Sequence, residues 1–296
     1  MKVILNDRVL LKISGTDAES FLQNQLSNDI MRLDKSSAQL NAYCQHQGKI
    51  ISLFWVMRYE DYFLLSFPLD LLEKIQSRLQ MFVIMSDVVI NNATKDFCQV
   101  GLINETHEGA FIIKEHLSVS LEKYSNQTLM DFEPIEIWYK ACIDSYLPEI
   151  FSITSEKLVP QMLNLDIDEF GVNFSKGCYP GQEVVARLHY LGSAKRRLFA
   201  FKSNLEINIG DSLYCSSSKS AKARGARYKS SGMVVFKLKY NSNFYCLATL
   251  DVEIKDEKIT LNNELGPILI RINLSLIHIS EPTRLLSISY AVFCLK

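Results

Sequence analysis

The order of strand-like and helix-like segments in residues 8–90 restricts the fold more than any other feature of the chain. Segments with a strand pattern are RVLLKIS, AQLNAYC, KIISLFWVM, YFLLSF and DVVI, and segments with a helix pattern are ESFLQNQL and LDLLEKIQSRLQMF. One helix follows the first strand and the other precedes the last strand. This order predicts an α+β unit of the split βαβ type. The spacing from Thr16 to Glu19 predicts a capping box at the start of the first helix.

The pattern changes twice further along the chain. Strands in CQVGLI and GAFIIK and a helix in PIEIWYKACI, with Pro134 in its first turn, predict a second α+β unit. From about residue 195, short strands alternate with polar turns, which predicts a small β-barrel or sandwich. The predicted domains are residues 1–95, 96–192 and 193–273.

The last residues, 274–296, break with the polar strand pattern before them. The segments LSLIHISEPTR and ISYAVFCL can be reverse-translated into nucleotide sequences that resemble the two ends of a transposase sequencing adapter. We therefore expect a non-native tail and give Cys294 and His278 no functional weight. The alternative is a natural C-terminal strand.

Composition and charge exclude some classes of function. The chain has 32 Lys and Arg against 33 Asp and Glu, so binding of nucleic acid would require a local basic patch. No stretch reaches the roughly 18 apolar residues of a membrane span, and the N-terminus lacks a secretory pattern. We expect a cytoplasmic protein without a membrane partner. Seven scattered cysteines without a C-x-x-C predict reduced thiols and no stably bound metal.

The stretch KGCYPGQEVVARLHYLG, residues 176–192, is the strongest candidate for chemistry. Pro180 and Gly181 predict a type II turn with Cys178 at its mouth, and Lys176 can favour a thiolate if its side chain lies on the same side. The alternative is a buried cysteine beside a turn. VVARLHYLG alternates as a strand that places Val185, Arg187 and His189 on one face.

A second candidate is a basic surface that continues from this strand. It comprises Arg187, Lys195, Arg196, Arg197, Lys219, Lys222, Arg224, Arg227 and Lys229. Such a surface could bind phosphates, including those of tRNA. The alternative is a solvated face without a ligand.

The motif K-G-C-Y-x-G-Q-E, from Lys176 to Glu183, resembles the signature of the YgfZ family of folate-binding proteins. This family is related to the glycine cleavage T-protein and to a mitochondrial iron–sulfur assembly factor. The similarity continues in SGTDAESFLQNQLSNDI, NAYCQHQGKI and LVPQMLNLD, and covers about residues 5–265.

The resemblance implies a T-protein-like α+β fold, with two split-βαβ domains and a C-terminal β-barrel around a central folate pocket. It implies binding of tetrahydrofolate or a derivative, and a role in maintaining iron–sulfur enzymes, including the radical enzyme that thiomethylates certain tRNAs. The motif residues carried over are Lys176, Gly177, Cys178, Tyr179, Gly181, Gln182 and Glu183, with Cys178 as the functional thiol. That thiol could ligate a cluster iron transiently.

The resemblance also implies residues that contact folate. Trp138 lies where bacterial members have a folate-contacting tryptophan, although a core aromatic is the alternative. A second tryptophan of bacterial relatives is replaced here by Arg8, which can reach the folate carboxylates instead. Arg187, with Glu183, is expected at the lip of the pocket.

Two other functions remain open from the sequence. A folate-dependent aminomethyl or methyl transferase is one, but its expected N-A-x-N segment is replaced here by Ser66-Phe67-Pro68-Leu69. A tRNA-binding protein without folate chemistry is the other, and it would use the basic surface.

Overall fold

The computed structural model of the chain describes residues 1–84, 86–123, 132–215 and 230–272, which contain three β-sheets and four α-helices. The first sheet is antiparallel, in the order β3-β4-β5-β2-β6. Its strands are β2 (Arg8–Ser14), β3 (Ala38–Cys44), β4 (Ile50–Tyr59), β5 (Tyr62–Pro68) and β6 (Val89–Asn92), and its helices are α1 (Ala18–Gln25) and α2 (Leu72–Gln80). The order of elements predicted for residues 8–90 is confirmed.

The second sheet begins with a strand from the start of the chain. It has the order β1-β7-β9-β8 and is followed by one helix. The elements are β1 (Lys2–Ile4), β7 (Phe97–Ile103), β8 (Phe111–Lys114), β9 (Leu117–Lys123) and α3 (Ile135–Asp144). The sequence did not predict β1 or β9, and Pro134 precedes α3 rather than lying in its first turn. The two sheets meet at their edges, where the Ile112 amide donates to the Ser36 carbonyl at 2.7 Å.

The third sheet closes into a barrel, as predicted, in the order β10-β13-β12-β11-β14-β15. Its strands are β10 (Arg196–Ser203), β11 (Ser212–Tyr214), β12 (Gly232–Tyr240), β13 (Asn243–Asp251), β14 (Ile259–Leu261) and β15 (Ile268–Ile272). The barrel has its own apolar core, which includes Phe201, Leu213, Val234 and Leu250. Helix α4 (Gln182–Leu191) precedes it. Residues 216–229 and residues 273–296, which include the predicted tail, lie outside the described residues.

The chain between α3 and α4 packs on the first sheet. Its regular structure consists of two short 3₁₀ helices, Pro160–Leu163 and Ile167–Glu169. The Ile50 amide donates to the Leu158 carbonyl at 2.8 Å, and the Asn173 amide donates to the Ser27 carbonyl at 3.0 Å. This stretch therefore joins the second predicted domain to the first. The domain boundaries at residues 95 and 192 stay predictions.

The predicted capping box at the start of α1 is wrong. Asp17, not Thr16, is the residue that precedes the helix. The Thr16 hydroxyl donates to the Asp87 carboxylate at 2.8 Å, and Glu19 forms an ion pair with Arg58. Both side chains bond to distant elements, which local spacing cannot reveal.

Two tryptophans lie in the core between the first two sheets. Trp138 of α3 is 0% exposed, and its ring meets that of Trp55 edge-on, with 5.9 Å between the ring centroids. Trp138 also packs directly on the backbone of Gly101 in β7. None of the helices in the described part of the chain is both long and apolar enough to cross a membrane.

The contact between Gly101 and Trp138 leaves no space for a side chain. A Cβ added at Gly101 would lie 2.5 Å from Trp138 Cε3, so we expect Gly101→Ala to lower the free energy of unfolding. Overpacking of this kind costs about 1–3 kcal/mol. Gly177→Ala is the control, because its Cβ would meet no atom within 4 Å. Urea unfolding measures both, and equal stability of Gly101→Ala and the wild type would contradict this packing.

Candidate functional site

Cys178 differs from the other cysteines in its exposure. Among the six cysteines of the described ranges, Cys178 is exposed and Cys98 is half-buried, whereas the remaining four, Cys44, Cys142, Cys215 and Cys246, are buried. Burial raises the pKa of Cys44 to about 12 and raises the pKa of Cys142 well above its usual range. Such thiols stay protonated and unreactive near neutral pH. Cys178 is therefore the cysteine available for chemistry.

The turn after Cys178 has the predicted geometry. Gly181 has φ +85° and ψ −1°, and the Gln182 amide donates to the Tyr179 carbonyl at 3.1 Å. A positive φ at the third position, after a proline at the second, is the type II arrangement. The turn prediction is confirmed.

The strand predicted for VVARLHYLG is wrong, because α4 begins directly after the turn. Val185 is 1% exposed, while Arg187 and His189 are exposed, so the three residues do not share a face. The His189 ring stacks on Phe174, with 3.8 Å between centroids. Adjacent valines favour a strand, but apolar residues at 184, 185, 188 and 191 also fit helical spacing, and the short segment could not decide between them.

The ammonium of Lys176 lies in a cage of backbone carbonyls just beyond the end of α1. Its Nζ donates to the carbonyls of Gln23 at 2.6 Å, Leu26 at 2.6 Å and Asn28 at 3.0 Å. Carbonyls at a helix C-terminus lack intrahelical partners and carry partial negative charge. Burial lowers the pKa of Lys176 to about 8, and the Asp29 carboxylate opposes that shift. All three donors are engaged, so the geometry assigns this side chain to holding the turn; an effect on the Cys178 thiolate stays a prediction.

The other motif residues surround the thiol in alternating environments. Tyr179 is buried, and its ring centroid lies 5.4 Å from Lys176 Nζ. The Gln182 side-chain amide donates to the Lys176 carbonyl at 3.4 Å. Gly177 and Glu183 are exposed. The exposed thiol of Cys178 thus lies between two buried side chains, Lys176 and Tyr179.

Arg8 is buried in a cluster that also contains Ser66, Trp55 and Glu149, here called the Arg8–Glu149 cluster. The Arg8 Nε donates to Ser66 Oγ at 2.9 Å, and another guanidinium nitrogen donates to the Ser66 carbonyl at 3.0 Å. Arg8 also forms an ion pair with Glu149 and lies 3.5 Å from the centroid of the Trp55 ring. The guanidinium therefore covers the Trp55 face.

Glu149 is the residue in this cluster that sequence reasoning missed. It is 4% exposed, and its Oε2 has no hydrogen-bond partner among the described residues. Burial raises the pKa of Glu149, while the neighbouring Arg8 charge opposes that shift. The available signal was a lone carboxylate in the apolar segment YLPEIF, residues 146–151. A buried carboxylate is rare without a partner or a function.

The structure brings together two of the three predicted folate residues. Trp138 and Arg8 both contact Trp55, one edge-on and the other on its face. Trp138 is fully buried, so its ring offers no face to solvent. Arg187 lies on the exposed side of α4.

Two of the four described members of the predicted basic surface are paired with aspartates, and the other two are exposed. Arg196 pairs with Asp251 at 2.8 Å, and Arg197 pairs with Asp166 at 2.5 Å. Lys195 is exposed. The remaining predicted members, Lys219, Lys222, Arg224, Arg227 and Lys229, lie outside the described residues.

The described residues form neither a pocket nor a metal-ligand group at the thiol. An open pocket of about 280 Å³ lies where β3 and β8 meet, and its lining includes Arg32, Gln39, Ile112 and Phe170 but neither Cys178 nor Arg8. Within the described ranges, no three His, Cys, Asp or Glu side chains are grouped as metal ligands.

Comparison with known proteins gives relatives along most of the chain. No family model matches. An uncharacterized protein of Haemophilus influenzae is 33% identical over 221 residues, which cover 71% of this chain and 77% of that protein. The tRNA-modifying protein YgfZ of Colwellia psychrerythraea is 29% identical over 230 residues, covering 66% of this chain and 69% of that protein.

A solved structure supports the fold. The glycine cleavage system aminomethyltransferase T from Bartonella henselae matches with a TM-score of 0.66 and 11% sequence identity, covering 92% of this chain and 84% of that one. At this identity the likeness shows the fold alone, and it confirms the T-protein-like architecture. The sequence relatives named YgfZ, which match most of the chain, place it in the YgfZ family.

Proposed function

We propose that this protein supports tRNA modification as an accessory factor that acts through the exposed thiol of Cys178. The carrying observation is that Cys178 is the one exposed cysteine among the described residues and lies on a turn held by buried neighbours. Relatives that carry the name tRNA-modifying protein YgfZ share the chain over most of its length.

The client we propose is an iron–sulfur enzyme, such as the radical enzyme that thiomethylates tRNA. A thiolate is a soft ligand that suits iron, and an exposed single thiol leaves the other coordination positions to the client. In such a contact the sulfur donates an electron pair to a cluster iron, and no oxidant is needed. The exposure of Cys178 between the buried residues Lys176 and Tyr179 supports its proposed contact with a cluster iron of the client.

Replacing the thiol tests this proposal. In a strain that lacks the protein, Cys178→Ser should leave the 2-methylthio content of tRNA near the level of the deletion, because a hydroxyl is a poor ligand for iron. Mass spectrometry of tRNA nucleosides measures the modification. Cys98→Ser, which changes a half-buried thiol, should restore it. Restoration by Cys178→Ser to the level of the wild type would refute the thiol's role.

Two alternative functions have less support from the structure. A transferase of the T-protein type would present polar residues where β5 ends, but the Ser66 hydroxyl near the end of β5 donates to Gln99 at 2.6 Å and accepts from Arg8. A protein that only binds tRNA would need free cations, and Arg196 and Arg197 are paired with aspartates.

We also propose that tetrahydrofolate binds at the Arg8–Glu149 cluster. The unpartnered Glu149 Oε2 is a buried acceptor that suits the amino and ring N–H donors of a pterin, and the Trp55 face suits its ring. Arg8 occupies that face, so binding requires its guanidinium to move, after which it can pair with a folate carboxylate. When bound, tetrahydrofolate supplies a carrier for one-carbon groups.

Calorimetric titration with tetrahydrofolate tests the folate proposal. Glu149→Gln should weaken binding by about ten-fold or more, because a charge-assisted hydrogen bond contributes about 1.5–3 kcal/mol. Glu257→Gln, an exposed glutamate just before β14, is the matched control and should bind as the wild type does. Circular dichroism confirms that both variants are folded. Equal affinity of Glu149→Gln and the wild type, or no saturable binding at all, would refute this site.

A further inference from the structure

The turn that follows Cys178 lies backbone against backbone on the hairpin between β3 and β4. In that hairpin the Gly48 amide donates to the Gln45 carbonyl at 2.8 Å, and Gly48 has φ +75°. A Cβ added at Gly181 would lie 2.7 Å from Gly48 Cα, and a Cβ at Gly48 would lie 3.0 Å from Val184 Cβ. Contacts under 3.0 Å are sterically forbidden. A side chain at Gly181 is therefore excluded, and one at Gly48 would press against Val184 and require it to shift.

The other side of the thiol is fixed by Lys176. Its ammonium bonds to three carbonyls that follow or end α1, between 2.6 and 3.0 Å away. The groups facing this ammonium are the Asp29 carboxylate and the Tyr179 ring. Lys176 is 8% exposed and Tyr179 is 6% exposed, while Gly177 and Cys178 between them are exposed. The thiol is the projecting part of a segment whose neighbours are buried.

The helix after the turn adds a third fixed point. The Gln161 side chain donates to the Val185 carbonyl at 2.7 Å, and Val185 is 1% exposed. The turn therefore cannot pivot about α4 without breaking buried contacts. Both elements that receive the segment, α1 and the β3–β4 hairpin, belong to the first sheet unit.

We propose that Lys176 and Gly48 are positioning residues, which hold Cys178 at a fixed place and orientation from two sides. The benefit of a fixed thiol rests on the proposed function, because a thiol that must meet an atom inside a partner loses less conformational entropy when it is already ordered. The fixed orientation of Cys178 can be measured on the isolated protein, without a partner. Lys176 acts through the backbone of its own segment, and Gly48 acts through its contact with Gly181.

Electron paramagnetic resonance of a nitroxide attached to Cys178 tests the proposal on pure full-length protein. The background is the double variant Cys98→Ser/Cys294→Ser, because Cys98 is half-buried and Cys294 lies outside the described residues. Lys176→Met and Gly48→Asn should each give a narrower spectrum and a shorter rotational correlation time than the background protein. Asparagine is chosen because it tolerates a positive φ, so that at Gly48 only the steric clash is added.

Matched controls separate the proposed contacts from general effects. Gly109→Asn changes another glycine with positive φ, +86°, where a Cβ would meet no atom within 4 Å. Lys195→Met removes an exposed lysine. Both controls should leave the spectrum unchanged. Lys176→Arg keeps the positive charge and the hydrogen-bond donors, so it should change the spectrum less than Lys176→Met. The arginine variant replaces the methionine variant in this test if the latter folds poorly.

A pH profile of iodoacetamide reaction at Cys178 distinguishes positioning from activation. Positioning predicts that Lys176→Met changes label mobility but leaves the midpoint of the alkylation profile unchanged. A midpoint that rises in Lys176→Met while the spectrum stays the same would overturn the proposal in favour of thiolate stabilisation. Unchanged spectra in both Lys176→Met and Gly48→Asn would also overturn it. These outcomes do not depend on tRNA modification, so they fail separately from the proposed function.

Discussion

The buried ion pair between Arg8 and Glu149 is the interaction on which the join between the first two sheets depends. Arg8 opens β2 of the first sheet, and Glu149 follows α3, which packs on the second. Removing two charges from water costs several kcal/mol, and the cost is offset only when geometry and additional hydrogen bonds are good. Ser66 and the Trp55 face supply those partners to Arg8. Loss of either member would leave a buried charge without compensation.

Much of the fold could be predicted because the strands alternate regularly and the turns are polar. AQLNAYC coincides with β3, and RRLFAFKS coincides with β10. Of the strands that were not predicted, β1 is a three-residue edge strand whose partner β7 lies far along the chain, whereas β9 has seven residues inside its sheet and β15 has five residues in the barrel. The strand predicted for VVARLHYLG was wrong for a different reason. Its apolar residues fit both the strand period and the helix period, and the left-handed conformation of Gly181 is followed by a helix.

The sequence could predict the reactive residue of the candidate site but not the contacts that hold it in place. Cys178 and its turn could be identified from Pro180, Gly181 and the motif, because turn preferences are local. The destination of the Lys176 ammonium could not, since its carbonyl partners lie about 150 residues earlier in the sequence. The same holds for Glu149, whose partner Arg8 is separated from it by 141 residues. Partners so far apart in the sequence cannot be identified from the local spacing of residues.

The strand β1 has a consequence for how the chain folds. Lys2 pairs with Leu102, so the second sheet acquires its edge only after the whole first sheet has been synthesised. Closing so long a loop costs entropy that a folded first sheet has already partly reduced by bringing its ends together. The first sheet thus serves as a template that delivers β1 to β7. This topology therefore favours completion of the second sheet after the first.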